Sequence, residues 1–419
     1  LSGYRWVIFG LGSSLFLLSM FYRASSAIIA PDLARDLSLD YETLGLLGAS
    51  FYYTFALVQL PMGLLMDRIG PRLTMAGLNL AGTGGALVFA FSGGAATAVA
   101  GRALLGLGMA ANLIGPLSLF SRWFRPDRFA SIQGLLLSVG NLGGILAATP
   151  LALAAGALGW RSTFVGLAGL NLALTLVAIL FLRDSPQGGE VDPLVRTTGG
   201  GAGAGVGRSL ATLLGSRDYW LIGWSAFLRY GTYAAIQGLW AGPFLIERLG
   251  YDPVRAGNLL LLLNLGFIIG APAIGRLSET YVRSRKRTIA GGIAVMAGAV
   301  LCLGLWPDSL PAAVLAGLLF LLGFTSSAGN IMYPHIKGLM PPGMTSTAMA
   351  GINFFTMAGA GAFSQGIGRL LEKLMAGGSG KDPYQWAFLS CALALGLVVA
   401  LYLLTREEPE DFMKTAKMK

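Results

Sequence analysis

Long apolar runs bounded by charged residues or by Gly/Pro breaks recur along the 419 residues, for example Trp6 to Met20, Ala294 to Leu305 and Trp386 to Leu404. About 20 helical residues are needed to cross a bilayer, whereas a soluble core helix alternates apolar and polar faces. The breaks predict membrane helices near residues 5–30, 42–66, 72–92, 97–121, 129–155 and 160–182. A second set follows near 218–247, 255–277, 288–306, 311–335, 344–372 and 384–405. The expected fold class is an all-α membrane protein of twelve transmembrane helices. Residues 1–182 form one six-helix bundle, 183–217 a linker, and 218–419 a second bundle with a tail.

The two sets repeat. Pro31, Leu33, Leu37, Asp40 and Gly45 recur as Pro243, Leu245, Leu249, Asp252 and Gly257, and Gly63, Leu65 and Asp67 recur as Gly275, Leu277 and Glu279, all at an offset of 212. Two parallel six-helix repeats suit a carrier that rocks about a central site. The linker holds the flexible stretch Gly199 to Gly207 and a short amphipathic piece, Ser209 to Leu214. No strand precedes that glycine stretch and no βαβ unit is available, so it is not a dinucleotide site.

Composition agrees: 54% of residues are hydrophobic and 12% charged, against roughly 25% charged in a soluble domain. The net charge of +10 could suggest nucleic acid, but its placement excludes that partner. Arg68 with Arg72, Arg122 with Arg125 and Arg128, the arginines from Arg183 to Arg217, and Arg283 to Arg287 occupy alternate loops. That is the positive-inside pattern, which predicts both termini in the cytoplasm and, for a bacterial chain, an inner-membrane location. The first apolar segment is long and lacks a small-residue cleavage pattern, so no cleaved signal peptide is expected. Cys302 and Cys391 each sit inside an apolar run, as packing residues do. Lone His335 beside Lys337 falls at a cytoplasmic helix end and reads as an interface residue. No metal, cofactor or catalytic constellation is indicated, and a monomer is expected.

Residues 63–72 read Gly-Leu-Leu-Met-Asp-Arg-Ile-Gly-Pro-Arg in the loop between the second and third spans. This resembles the signature of the major facilitator superfamily, as do its echo from Gly275 to Arg285 and Arg102 with Gly106 and Gly108 in the fourth span. The resemblance covers essentially the whole chain and implies the major facilitator fold. It also implies that the cluster of Asp67, Arg68 and Arg72, with Glu279 in the second half, governs gating. Asp67 is placed to cap a neighbouring helix, and Arg68 and Arg72 to pair with acids such as Asp127. The segment Phe21-Tyr22-Arg23 before Pro31 resembles, more narrowly, the anion:cation symporter family, with the sialin and vesicular glutamate carriers. There the corresponding arginine contacts the substrate anion, and Arg102 and Arg229 resemble the arginines of its fourth and seventh spans. The chain departs from that family at Met109, where an acid for proton coupling is expected.

Arginine inside a bilayer costs about 2.5–3.5 kcal/mol on insertion scales, so it faces a cavity or a partner. At about 1.5 Å per residue, Arg23 lies about 12 Å before Pro31 and Arg229 about 21 Å before Pro243, both within the hydrocarbon core. Ser19, Arg23 and Ser26 share one side of the first span, and Ser225, Arg229, Tyr233 and Gln237 one side of the seventh. Each arginine belongs to a polar stripe on an apolar helix, as on a cavity wall. The third, sixth, ninth and twelfth spans carry only sparse polar residues such as Asn79, Asn171 and Thr175 and are expected to form the lipid-facing scaffold.

All 20 Asp and Glu residues fall in loops, tails or helix ends. Two guanidinium groups about 8 Å apart would repel by ~2 kcal/mol at an effective dielectric of about 20, and a bound anion would offset that. Arginine's planar fork suits a carboxylate or phosphate. Tyr22, Ser26, Tyr53, Tyr230, Tyr233, Gln237, Trp240, Asn330 and Asn353 are candidates to complete a substrate pocket around Arg23 and Arg229, and Arg102 is a candidate for coupling. The expected function is secondary active or facilitative transport of small organic anions, with protons or another ion as candidate co-substrates. Alternatives are an organophosphate:phosphate exchanger and a proton-driven drug, amino-acid or peptide carrier. The drug reading lacks both a mid-span acid and the proline-glycine exporter signature between Gly140 and Pro150. A membrane receptor would need a sensing domain, for which the linker is too short.

Overall fold

The computed structural model describes residues 3–185, 213–305, 311–340, 345–377 and 382–407, and among them there are helices and no strands. Most of the predicted linker, including its glycine stretch, lies outside the described residues. Twelve helical stretches follow the predicted spans. Eight described helices are long and apolar enough to cross a membrane, or nine if Ile132–Leu146 and Thr149–Leu158, bent by 42°, count as one. Arg217–Ala235 is not among them; it carries Asp218, Ser225, Arg229, Thr232 and Tyr233.

Several helices are interrupted, and prolines account for where. A proline offers no N–H to the carbonyl four residues earlier and crowds it. In the fourth span, Pro116 follows the 3₁₀ turn Ala110–Asn112, which separates Ala95–Met109 from Ile114–Trp123. In the tenth, Pro334 follows the 3₁₀ turn Ser327–Ile331, which separates Ala312–Ser326 from Met332–Leu339. The residue four before the proline is an asparagine both times, Asn112 and Asn330. The seventh span, Arg217–Ala235, continues through two π-helical turns, Ile236–Trp240 and Phe244–Arg248, on either side of Pro243. Such π turns concentrate at functional positions.

The chain packs as two units that cut across the sequence repeat. Unit 1 holds residues 1–201, 237–261 and 364–369; unit 2 holds 202–236, 262–363 and 370–419. Inside unit 1, bare backbone brings segments together: Gly242 lies against the carbonyl of Ala27, and Gly45 and Gly368 face each other. Pro31 explains part of this, because it leaves the Ala27 carbonyl without a helical donor.

The third and sixth spans of unit 1 hide their polar residues from the lipid. Asn79 and Asn112 exchange side-chain hydrogen bonds at 2.8 and 3.0 Å, while Asn171 donates to the Asn79 carbonyl at 3.0 Å and to Thr83 Oγ1 at 2.9 Å. These side chains are all buried, so the scaffold helices turn their few polar groups toward each other, as bonding groups in hydrocarbon must.

Each unit also closes one end with the same clasp. In unit 1, Trp123 Nε1 donates to the carbonyl of Arg183 at 2.9 Å, and the next residue, Asp184, accepts from the backbone N–H of Arg72 at 3.0 Å. In unit 2, His335 Nε2 meets the carbonyl of Arg406 at 3.1 Å, and Glu407 accepts from the hydroxyl of Ser284. Trp123 and Arg72 stand 212 residues before His335 and Ser284, while Arg183 and Asp184 stand 223 before Arg406 and Glu407. A carbonyl only accepts, so Nε2 of His335 carries the proton and Nδ1 accepts from Tyr402 Oη at 2.7 Å. The only histidine therefore repeats the structural job of a tryptophan.

Candidate functional site

The candidate residues of the first half gather at the break in the first span of unit 1, where Tyr4–Ala24 gives way to Ser26–Leu37. The hydroxyl of Ser25 and Nη1 of Arg102 both donate to the carbonyl of Tyr22, each at 3.0 Å. Arg102 is 1% exposed and lies against the rings of Phe51 and Phe89, at 5.1 and 5.9 Å. It braces the break from the fourth span. The next residue after Tyr22 is Arg23, half-buried, with its guanidinium carbon 4.9 Å from the ring of Phe55, a cation–π distance. Tyr22 turns its ring onto Phe21 and Phe164, and Ser26 is buried.

Unit 2 holds Arg229, which is 2% exposed. Its Nη1 donates to the carbonyl of Ser326 at 3.0 Å, the last carbonyl before the break in the tenth span, and meets Ser326 Oγ at 3.4 Å. The guanidinium rests on bare backbone at Gly329, where any side chain would overlap it, and lies 5.4 Å from the ring of Tyr230. Its Nε has no hydrogen-bond partner, and no carboxylate pairs with it among the described residues. Tyr233 packs between Tyr230 and Phe267, Tyr333 donates to Asn353 at 3.2 Å, and Asn330 is exposed on the 3₁₀ turn that carries Gly329. Arg229, Tyr233, Asn330 and Asn353 thus fall in unit 2, and Arg23, Tyr22, Ser26, Tyr53 and Gln237 in unit 1.

Unit 1 also contains a polar layer that draws on distant stretches of sequence. Tyr41 donates to Glu247 at 2.8 Å and stacks on Trp240, whose Nε1 donates to the carbonyl of Ser364 at 2.9 Å. Tyr53 donates to Gln365 at 3.0 Å, and Arg369 pairs with Glu42 at 2.8 Å. Tyr53 therefore belongs to this layer.

The described part of the signature loop adds a carboxylate that the motif does not contain. The carboxylate that caps the start of the third span, Pro71–Ala90, is Asp184, whose approach Gly70 permits at φ 85°. The Arg72 guanidinium donates to the carbonyl of Ile179. Arg68 is exposed, as is Glu279 on the π turn Leu277–Val282, while the side chains of Asp67 and Asp127 lie outside the described residues. Asp184 and Glu407 were missed by motif reading. The available signal was a second repeat: Arg-Asp-Ser-Pro at 183–186 and Arg-Glu-Glu-Pro at 406–409.

The family model described as Major Facilitator Superfamily matches residues 11–365. The chain belongs to that superfamily. This facilitator protein is 26% identical to a "probable sulfoacetate transporter" of Cupriavidus necator, over 72% of its own length and 70% of the relative's. It is 23% identical to a "probable hexose phosphate transport protein" of Chlamydia trachomatis, over 96% of its own length and 91% of the relative's. Among solved structures it superposes on a bacterial homologue of the human lysosomal transporter Spinster with a TM-score of 0.77, at 14% identity and with 96% and 97% of the two chains covered. That likeness speaks for the fold. The facilitator protein is accordingly an integral membrane transport protein and not an enzyme, and the superfamily fold carries twelve transmembrane helices.

Proposed function

We propose that this facilitator protein carries small organic anions by alternating access, with Arg23 and Arg229 as the cationic contacts for the substrate. The observation that carries the reading is Arg229: a buried guanidinium on an apolar helix, with Nε unpartnered and no carboxylate paired with it among the described residues. An uncompensated buried charge costs several kcal/mol, and an anion that brings its own charge and acceptors removes that cost. The relatives support the same class, since the two substrates in their names, sulfoacetate and hexose phosphate, are both anions. The hexose phosphate relative, matched over 96% of this chain, favours organophosphate transport as the second reading.

The lack of an acid in mid-span and the Met109 at the position expected of a coupling acid weaken the case for proton symport, and leave anion exchange and facilitated movement equally open. The test is thermal unfolding of the purified protein against a panel of sulfonates, carboxylates, sugar phosphates, amino acids and cations. A ligand at about 100 times its Kd stabilises the folded state by about 2.7 kcal/mol. A rise in Tm is expected with sulfonates or carboxylates and none with cations. A shift confined to sugar phosphates supports the second reading, and a shift confined to cations removes both.

A further inference from the structure

Counted back from the proline that follows it, the turn that breaks the tenth span matches the one in the fourth, with one exchange. Asn330 stands four residues before Pro334 as Asn112 does before Pro116, but five residues before stand Gly329 in one and Ala111 in the other. In each unit a side chain of the leading span ties the last carbonyl before the turn. In unit 1 the tie is the hydroxyl of Ser19, which donates to the carbonyl of Met109 at 3.3 Å, and Ala111 is fully buried. In unit 2 the tie is Arg229, with Nη1 on the carbonyl of Ser326 at 3.0 Å. Where the tie is a short hydroxyl, the turn has room for a methyl. Where it is a guanidinium, the same position is bare.

The contact at Gly329 has a direction. A Cβ there would fall nearest to Cζ of Arg229, then to Nη2 and Nε. An approach along an N–H edge of the planar group would meet nitrogen before the central carbon, so Gly329 lies over its face. The donors in the plane are thereby left clear of the turn. Nη1 is committed to Ser326, and Nε has no hydrogen-bond partner.

We infer that Gly329 is a positioning residue for anion binding: its bare backbone is a flat seat that, with the Ser326 carbonyl, fixes where the Arg229 charge stands and leaves the Nε side of the fork for an anion. The inference rests on the proposed role of Arg229 as a substrate contact. It also accounts for arginine at this position, since only a planar head lies flat on a peptide; a lysine ammonium is a compact point charge that gains nothing from the seat.

The test is uptake of sulfoacetate and of glucose 6-phosphate into proteoliposomes, followed against concentration in the unaltered protein, Gly329→Ala, Arg229→Lys and the double variant. Gly329→Ala should fold and melt near the unaltered protein, because the atoms it displaces are the far end of a flexible side chain. Its KM for the anion carried is expected to rise about tenfold with the maximal rate little changed, a coupling of the size found between touching residues. In the Arg229→Lys background, where no flat head occupies the seat, adding Gly329→Ala is expected to change KM by less than about twofold. An equal rise in both backgrounds would mean that the methyl distorts the tenth span in general, and overturns the inference. A normal KM in Gly329→Ala overturns it as well, and leaves the role of Arg229 standing if Arg229→Ala has lost uptake. Normal uptake of both anions by Arg229→Ala, or of neither by the unaltered protein, removes the substrate reading and the inference with it.

Discussion

Arg229→Ala is expected to cut anion uptake by about 30-fold or more. Truncating one member of a buried, hydrogen-bonded charge pair costs about 2–5 kcal/mol, and under the proposed function the other member in the loaded carrier is the substrate anion. The empty protein loses less. Among the described residues its guanidinium has only Ser326 as a hydrogen-bond partner and no carboxylate beside it, and removing such a buried charge offsets the cavity that the substitution leaves. The expected signature is therefore a variant that folds, melts near the unaltered protein, and no longer gains thermal stability from substrate. Arg229→Lys keeps the charge but not the planar fork and should fall between the two. An alanine variant that transports at the normal rate would show that Arg229 only braces the tenth span.

Gly242→Ala is expected to spread the polar layer of unit 1 apart. A Cβ at residue 242 would overlap the carbonyl of Ala27, and backbone cannot turn aside as a side chain can. Overpacking of this kind costs about 1–3 kcal/mol. The neighbouring links are Tyr41 to Trp240, Trp240 to Ser364 and Tyr53 to Gln365, of which the first and third join residues of the second span to Trp240 and Gln365 within unit 1. A cysteine placed at Gln365, with Cys302 and Cys391 replaced by serine, should react with a soluble maleimide about tenfold faster in the Gly242→Ala background, as 1.4 kcal/mol implies. Uptake should fall in the same variant. Unchanged labelling and unchanged uptake together would mean that the close approach at Ala27 is not needed to hold this layer.

Much of the fold was legible because the physics is one-dimensional. Apolar runs of bilayer length, loop charges and the 212-residue repeat need no tertiary information, and the helices fall where those patterns put them. The helix breaks were half-visible. Pro116 and Pro334 mark them, but only the structure shows that the freed turns tighten to 3₁₀ geometry and that Arg229 binds the last carbonyl before one of them. The carboxylate at the start of the third span went unnoticed for a similar reason. Asp67 belongs to a known signature, whereas Asp184 reaches Arg72 from 112 residues away and is marked only by the short repeat at 183–186 and 406–409. Asn79 and Asn171 looked like isolated polar residues on lipid-facing helices until the network with Asn112 and Thr83 accounted for both.

The candidate site was legible as a set of residue types and less so as a geometry. Arg23 and Arg229 stand out by cost alone, since each is an arginine inside a predicted membrane span. Arg102 stands out equally in the sequence, yet its contacts are the Tyr22 carbonyl and two aromatic rings, which is the environment of a brace. Tyr22 lends its backbone to that brace and its ring to the packing of Phe164.

Uptake of radiolabelled solutes into proteoliposomes tests the central claim most directly, with sulfoacetate, a dicarboxylate, glucose 6-phosphate and an organic cation compared in the unaltered protein, Arg23→Ala and Arg229→Ala. Saturable uptake of at least one anion is predicted, lost in both variants, with the cation excluded throughout. Uptake of the cation at full rate in all three proteins, with no anion carried, would contradict it.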